Sequence, residues 1–310
     1  MNREKGFIPV MLTPFKENGA IDYDGLTHLT EFYLNAGAAG LFANCLSSEM
    51  FELSEAERLK VTKYIVDVSA GAVPVVATGT FGGNTVQQAD FVKQIYDTGV
   101  QAVIVITNML GEDGVEDAIF ESNVYDLLTL TENIPLGFYE CPDPFKRVLS
   151  AKQLGAFVST GRVIYHKDTC LDLDAIKAKL KATEGHDAFG LYDAYMAHAV
   201  DSLRVGAAGL SCIQGNYFPE LIVWLCKNYD VPELHEQVQE AQQFFIDHMD
   251  VMHAVYPVVA KYFLQKRGLP ISTYTRRDVG NFDSEVRRDI DKLYVDYENL
   301  YKRMEIKLVV

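Results

Sequence analysis

The stretch VPVVATGTFGGNTVQQADFVKQIYDTGVQAVIVIT, residues 73–107, holds one complete unit of the fold. VPVVATG (73–79) is a short apolar run without polar alternation, as expected of a strand covered on both faces. Gly79, Gly82 and Gly83 read as the tight turn that follows it. NTVQQADFVKQIYDTG (84–99) opens on the capping-type residues Asn84 and Thr85 and stops at Gly99, which marks a helix with both ends signalled. AVIVIT (102–107) is a second buried strand. Two such strands joined through a helix form a parallel βαβ crossover.

The same alternation runs outward in both directions. Further apolar runs lie at FIPVML (7–12), GLFANC (40–45), PLGFYE (135–140), RVIYHK (162–167), DAFGL (187–191) and AGLSCI (208–213). Amphipathic segments separate them at 22–35, 54–68, 114–132, 150–158, 172–182 and 194–204. Ser54 and Glu57 form a capping-box pattern at the start of one. Eight β-then-α units predict an α/β fold, a closed (β/α)8 TIM barrel. An open doubly wound sheet is the alternative, but VMLTPFKENG, after the first strand, has no phosphate-binding glycine fingerprint. Beyond residue 216 the pattern becomes helical only, from Pro219 to about Leu264 and again over 283–304. The expected division is a barrel over 1–225 and a C-terminal helical appendage over 226–310.

Composition narrows the function classes. The 310 residues are 48% hydrophobic, enough for a sizeable core, and carry a net charge of −15. Such acidity argues against nucleic acid or an anionic membrane as a partner. Five cysteines, an odd number with no CxxC pair, predict no disulfide framework and a cytoplasmic protein. The N-terminus has no apolar signal core, and no run reaches the roughly 18 apolar residues of a membrane span.

In a barrel the chemistry sits where strands end. Those ends carry hydroxyls, few carboxylates and one lysine, Lys167. They hold no histidine pair for a metal, and the chain has neither a Gly-x-Ser-x-Gly elbow nor a P-loop. Burial would lower the pKa of Lys167, and the neutral amine could then attack a ketone to form a Schiff base. The plain alternative is a strand-end cation paired with its neighbour Asp168. Tyr139, on the adjacent strand end, is a candidate proton shuttle. The hydroxyls and backbone N–H groups of LSSE (46–49) could hold the carboxylate of a keto acid.

With these residues in view, the chain resembles the dihydrodipicolinate synthase/N-acetylneuraminate lyase family of class I pyruvate-dependent aldolases. The resemblance runs through PVMLTPF (9–15), SSEMFELSEAERLKV (47–61), TGTFGGNT (78–85), FYECP (138–142), YHKDT (165–169) and GAAGLSC (206–212), in order and spacing. It implies Lys167 as the Schiff-base lysine and Tyr139 as the proton relay. It implies Ser47 as the hydroxyl that links to that tyrosine and helps hold the pyruvyl carboxylate, with Ser48 and Ser211 as further substrate-binding residues. It also implies a barrel with a C-terminal helical part, a homotetramer or homodimer, a small 2-keto acid substrate, and no metal or organic cofactor.

The chain departs from the family pattern as well. Gly-Thr-Thr-Gly-Glu reads Cys45-Leu46-Ser47-Ser48-Glu49, so one hydroxyl and both glycines are lost. Pro-Tyr-Tyr reads Asn108-Met109-Leu110, without the tyrosine lent to a neighbouring subunit's relay. Glu140 replaces an asparagine, to touch substrate or pair with Lys146. Pro144 stands where synthases place an arginine, and Tyr165 and His166 crowd a normally small position before Lys167. These changes argue against dihydrodipicolinate synthase activity itself. The expected function is a Schiff-base aldolase or lyase on a 2-keto acid, with pyruvate released or used and a keto-deoxy sugar acid or related hydroxy-keto acid as substrate. A dehydratase on the same imine and a catalytically silent keto-acid-binding barrel are the alternatives. His166 is expected to face the helices, His253 to be an ordinary helix residue, and Arg276 and Arg277 to be solvated.

Overall fold

The computed structural model describes residues 4–308. Eight strands run in chain order: β1 Gly6–Phe7, β2 Leu41–Ala43, β3 Val75–Thr78, β4 Ala102–Ile106, β5 Leu136–Tyr139, β6 Val163–Asp168, β7 Gly190–Asp193 and β8 Gly209–Leu210. Each pairs in parallel with its sequence neighbour from β2 to β8, and β8 pairs with β1. A parallel bridge between Val10 and Phe42 joins the first segment to β2 and closes the ring. The TIM barrel read from the sequence is therefore the fold.

The helices that follow the strands are α1 Tyr23–Ala36, α2 Glu55–Ser69, α3 Thr85–Tyr96, α4 Asp117–Leu130, α5 Ala151–Val158, α6 Leu173–Ala182, α7 Ala199–Arg204 and α8 Pro219–Asn228. The C-terminal helices are α9 His235–Asp247, α10 Met249–His253, α11 Val258–Lys266 and α12 Ser284–Met304. Asn84, Ser54 and Ser150 cap α3, α2 and α5, each with a reciprocal capping box. None of the described helices is long and apolar enough to cross a membrane.

Three boundaries differ from the sequence reading. The first strand is short because Pro9 has no N–H to donate. Ile8 N still bonds Leu210 O at 2.9 Å, after which Pro9 O accepts from Phe42 N at 3.0 Å, so the chain switches partners from β8 to β2. The seventh strand begins at Gly190, because 186–189 form a turn closed by Phe189 N to His186 O at 2.9 Å. The next helix begins late, at Ala199, because Asp193 Oδ1 takes Tyr195 N at 2.9 Å and a short 3-10 turn, Met196–His198, intervenes.

Two apolar layers result. Ile8, Val10, Phe42, Val76, Ile104 and Tyr165 fill the barrel interior, while Val103, Val105, Phe138 and Leu191 face the helices. The interior layer is thus a packed floor beneath the site. A Cβ at Gly137 would lie 2.8 Å from Tyr165 Cβ and 2.9 Å from Tyr165 O, so Gly137 makes room for the bulky Tyr165 on the next strand. A Cβ at Gly209 would lie 1.7 Å from Gly6 O, which ties the close approach of β8 and β1 to glycine.

Candidate active site

Lys167 and Tyr139 sit at the C-terminal ends of β6 and β5 as direct register partners. Strand alternation turns both side chains inward and sends Glu140, His166 and Asp168 outward. Lys167 is 4% exposed, and its Nζ stands 4.2 Å from the centre of the Tyr139 ring. Burial pushes the Lys167 ammonium below the ordinary lysine range, and the nearby thiols of Cys45, Cys141 and Cys212 do not offset it. Asp168, the neighbour that could have paired with Lys167, instead accepts from Lys179 Nζ at 2.6 Å on the outer face. Burial likewise raises the Tyr139 phenol well above its usual value, so it is a protonated donor at neutral pH. The same effect pushes the Cys141 thiol up to about 11 and Cys212 up to about 12, so both stay unreactive thiols.

A cavity of about 590 Å³ opens above the lysine. Ser47, Tyr139, Lys167, Tyr256 and Arg277 contribute polar groups to its lining, with Leu46 and Ile213 among its apolar walls. Ser47 lines the cavity, as does Tyr256. Ser48 does not line it: its Oγ donates to Met11 O at 2.6 Å and accepts from Cys45 N at 3.0 Å, which fixes the loop. Ser211 is fully buried below, where its Oγ takes the Tyr165 hydroxyl at 3.1 Å. Tyr165 also stacks on Tyr192 with ring centres 4.9 Å apart and forms the floor under the lysine.

The loop carrying Ser47 is anchored by Glu49, which adopts a left-handed φ of 57°. Its buried carboxylate accepts from Lys261 Nζ at 2.8 Å and from the backbone N–H groups of Arg276 and Arg277 at 2.6 and 2.9 Å. The C-terminal region is thereby tied to the barrel mouth. Arg276 is not solvated: it bonds both carboxylate oxygens of Glu57 at 2.8 and 2.6 Å, and this holds the Glu57 carboxyl down at about 2. Arg277 bonds Asp143 Oδ2 at 2.8 Å at the cavity rim, and His253 also lines the rim. The sequence reading missed Tyr256 and Arg277, because nothing local marks a helical appendage as a contributor to a barrel mouth.

Glu140 neither touches the cavity nor pairs with Lys146. Its Oε1 lies 2.6 Å from Lys179 Nζ and 3.3 Å from His166 Nε2, behind the barrel wall. Lys146 donates to Thr169 O at 2.6 Å instead. Burial alone would raise the carboxyls of Glu140 and Asp168, but His166 and Lys179 hold both below their ordinary values. Burial would lower His166, and the two carboxylates reverse that to a net rise. Glu140, His166 and Asp168 are a metal-capable set by spacing, but the Lys179 ammonium sits 2.6 Å from each carboxylate and neutralises the site as an ion network. Asn108 Nδ2 donates to the carbonyls of Cys141, Asp143 and Phe145, and so pins the loop after β5.

A sequence profile described as the Dihydrodipicolinate synthetase family matches residues 3–295. The chain belongs to this family. The family member is similar to the 4-hydroxy-tetrahydrodipicolinate synthase of Oceanobacillus iheyensis, 24% identical over 270 residues that cover 86% of this chain and 84% of the relative. It is similar to the enzyme of the same name from Ruegeria pomeroyi, 26% identical over 291 residues that cover 93% and 96%. Its fold matches the solved structure of YagE, a prophage protein of the dihydrodipicolinic acid synthase family from E. coli K12, in complex with pyruvate. That match has a TM-score of 0.84 at 21% identity and covers 96% of this chain and 98% of the other. At these identities the comparisons establish the family and the fold.

Proposed function

We propose that this protein is a Schiff-base-forming aldolase or lyase that acts on a 2-keto acid, with a keto-deoxy sugar acid or related hydroxy-keto acid as the substrate that releases or uses pyruvate. The observation that carries this reading is the Lys167 amine: buried, lowered in pKa, turned away from Asp168, and facing a cavity beside Tyr139. Family membership and the pyruvate bound to YagE support the same substrate class. We read the chain as a cytoplasmic homotetramer or homodimer needing no metal or organic cofactor.

The steps follow from the site. The neutral Lys167 Nζ attacks the keto carbon, and the carbonyl oxygen takes a proton from Tyr139. Loss of that oxygen as water, with one proton from solvent, leaves an iminium. The iminium draws electrons from the neighbouring carbon–carbon bond, so that bond can break to an enamine or form from one. Ser47 supports the substrate carboxylate at the cavity floor. Leu46 in place of a hydroxyl and the pinned Asn108 favour a substrate other than that of dihydrodipicolinate synthase.

Pyruvate followed by borohydride should leave a covalent adduct mapped to Lys167 by intact mass and peptide analysis. No adduct with pyruvate or with a panel of 2-keto acids overturns the reading. A catalytically silent keto-acid-binding barrel is the second reading, favoured by Leu46 in the carboxylate loop, where the family pattern has a hydroxyl, and by the missing tyrosine at Met109-Leu110. Ligand-dependent melting shifts without pyruvate release from any keto-deoxy acid would select it. A dehydrated keto acid as product, with no pyruvate, would select the dehydratase variant of the imine chemistry.

A further inference from the structure

We propose that Tyr256, from the turn between α10 and α11, is a proton-transfer residue of this site, acting through Ser47 so that one chain carries the whole proton path. The inference rests on the imine chemistry above and names a residue outside it.

Four observations converge on Tyr256. It is half-buried and lines the same cavity as Lys167, Tyr139 and Ser47. Asn216 Nδ2 donates to its hydroxyl oxygen at 2.6 Å. Asn216 itself cannot turn: its Nδ2 also donates to Val10 O at 3.0 Å, and its Oδ1 accepts the Tyr33 hydroxyl. Because the Asn216 bond uses an oxygen lone pair of Tyr256, the phenolic proton is left to point elsewhere, and Ser47 is a hydroxyl that lines the same cavity. Finally, Val255 holds a φ of 37°. A β-branched residue in that region is strained, and such strain persists where surrounding structure fixes a position that function uses.

The path balances. When Lys167 Nζ attacks the keto carbon, a C–N bond forms and the carbonyl electron pair moves to oxygen, which takes the Tyr139 proton. The nitrogen now carries one proton too many and releases it into the cavity. Tyr256 takes that proton as it passes its own to Ser47, and Ser47 passes its own on to Tyr139, with a water bridging where hydroxyls do not touch. The net change is one proton moved from nitrogen to oxygen. Tyr139 and Tyr256 line the one cavity, so both phenols are within its reach.

Tyr256→Phe keeps the ring and removes only the hydroxyl. With pyruvate as the probe, the Lys167 adduct should accumulate about 10²-fold more slowly, and exchange of pyruvate methyl protons with D2O should fall equally in kcat. KM for pyruvate should stay within about threefold, and the melting temperature should stay close to that of the parent. Ser47→Ala should show the same loss, and the double variant should be no slower than the slower single, since groups in one path fail as a unit. Wild-type rates in Tyr256→Phe, a rise in KM alone, or additive losses in the double variant would each overturn the proposal and leave the imine reading intact. A parent protein that forms no adduct overturns the imine reading itself.

Discussion

Tyr139 and Lys167 face each other across the β5–β6 ladder, with the lysine nitrogen 4.2 Å from the centre of the tyrosine ring. Both side chains line the same cavity, and under the proposed chemistry the Tyr139 hydroxyl would serve the carbon that the amine attacks. Tyr139→Phe should therefore retain pyruvate binding and the fold but lower kcat by about 10²–10⁴-fold, the span of a lost general acid–base group. Steady-state assays of pyruvate methyl exchange would check this, and an unchanged kcat would remove Tyr139 from the proton path.

The buried amine also carries a stability cost with a definite pH sign. The folded-state pKa of Lys167 lies below that of an unfolded lysine. Between the two values the unfolded chain binds more protons, so the lysine's contribution to stability improves as pH rises through the folded pKa and levels off above the unfolded one. At neutral pH the folded protein therefore bears the cost of desolvating that group. Lys167→Met, similar in length and uncharged, should abolish the adduct and raise stability by about 0.5–2 kcal/mol, as substitutions at strained active sites do. Thermal melts of parent and variant at pH 6 and pH 9 would show the gap narrowing at the higher pH. A variant less stable than the parent at both would refute the assigned direction.

Behind the barrel wall, Lys179 spans Glu140 and Asp168, the residues next to Tyr139 and Lys167 in sequence. Glu140 also takes Leu149 N and Thr169 N, each at 3.0 Å, so the network locks β5 and β6 in the register that sets Tyr139 and Lys167 face to face. Lys179→Met would leave two buried carboxylates with the His166 ring as their nearest ionisable partner. Such an unbalanced burial costs about 3–5 kcal/mol. Denaturant unfolding would measure it, and a loss below 1 kcal/mol would mean that the network is not the clamp.

How much of this was legible in the sequence varies from residue to residue. The strands were readable because burial on both faces leaves unbroken apolar runs such as AVIVIT (102–107). The prediction that His166 faces the helices followed from pleat alone, and the ion pairs at 3.3 and 3.4 Å bear it out. The partners in that network were hidden, because Lys179 reads like any helix lysine and only the crossing of α6 over β5 and β6 brings it to Glu140. Tyr165 read as crowding, since the compensating glycine, Gly137, lies on the next strand. Arg276 read as solvated because its partner Glu57 already had a local use as a capping-box residue, and the structure gives that carboxylate both duties. Long-range pairs of this kind leave no periodic trace in a chain.

Arg277 lines the cavity and is the side chain to test for choice among acids under the proposed reaction. Among the described residues lining the cavity, it is the only lysine or arginine besides Lys167, and its side chain is partly exposed where that of Lys167 is buried. Glu49 fixes its backbone N–H at 2.9 Å, and Asp143 takes one guanidinium nitrogen at 2.8 Å, which leaves further N–H donors for a ligand. Lys146 and Arg147, the cations nearest in sequence to the vacant synthase arginine position, are committed elsewhere, to Thr169 O at 2.6 Å and to Asp117 at 2.6 Å. Any acidic or hydroxyl-rich tail beyond the pyruvyl unit should therefore meet Arg277. Arg277→Gln should leave the pyruvate–borohydride adduct on Lys167 unchanged. It should raise KM for a keto acid with a distal carboxylate by about 10–100-fold, in line with a lost hydrogen bond to a charged group. A KM that rises equally for pyruvate, or not at all for the longer acid, would make Arg277 a brace for Asp143 and no part of substrate selection.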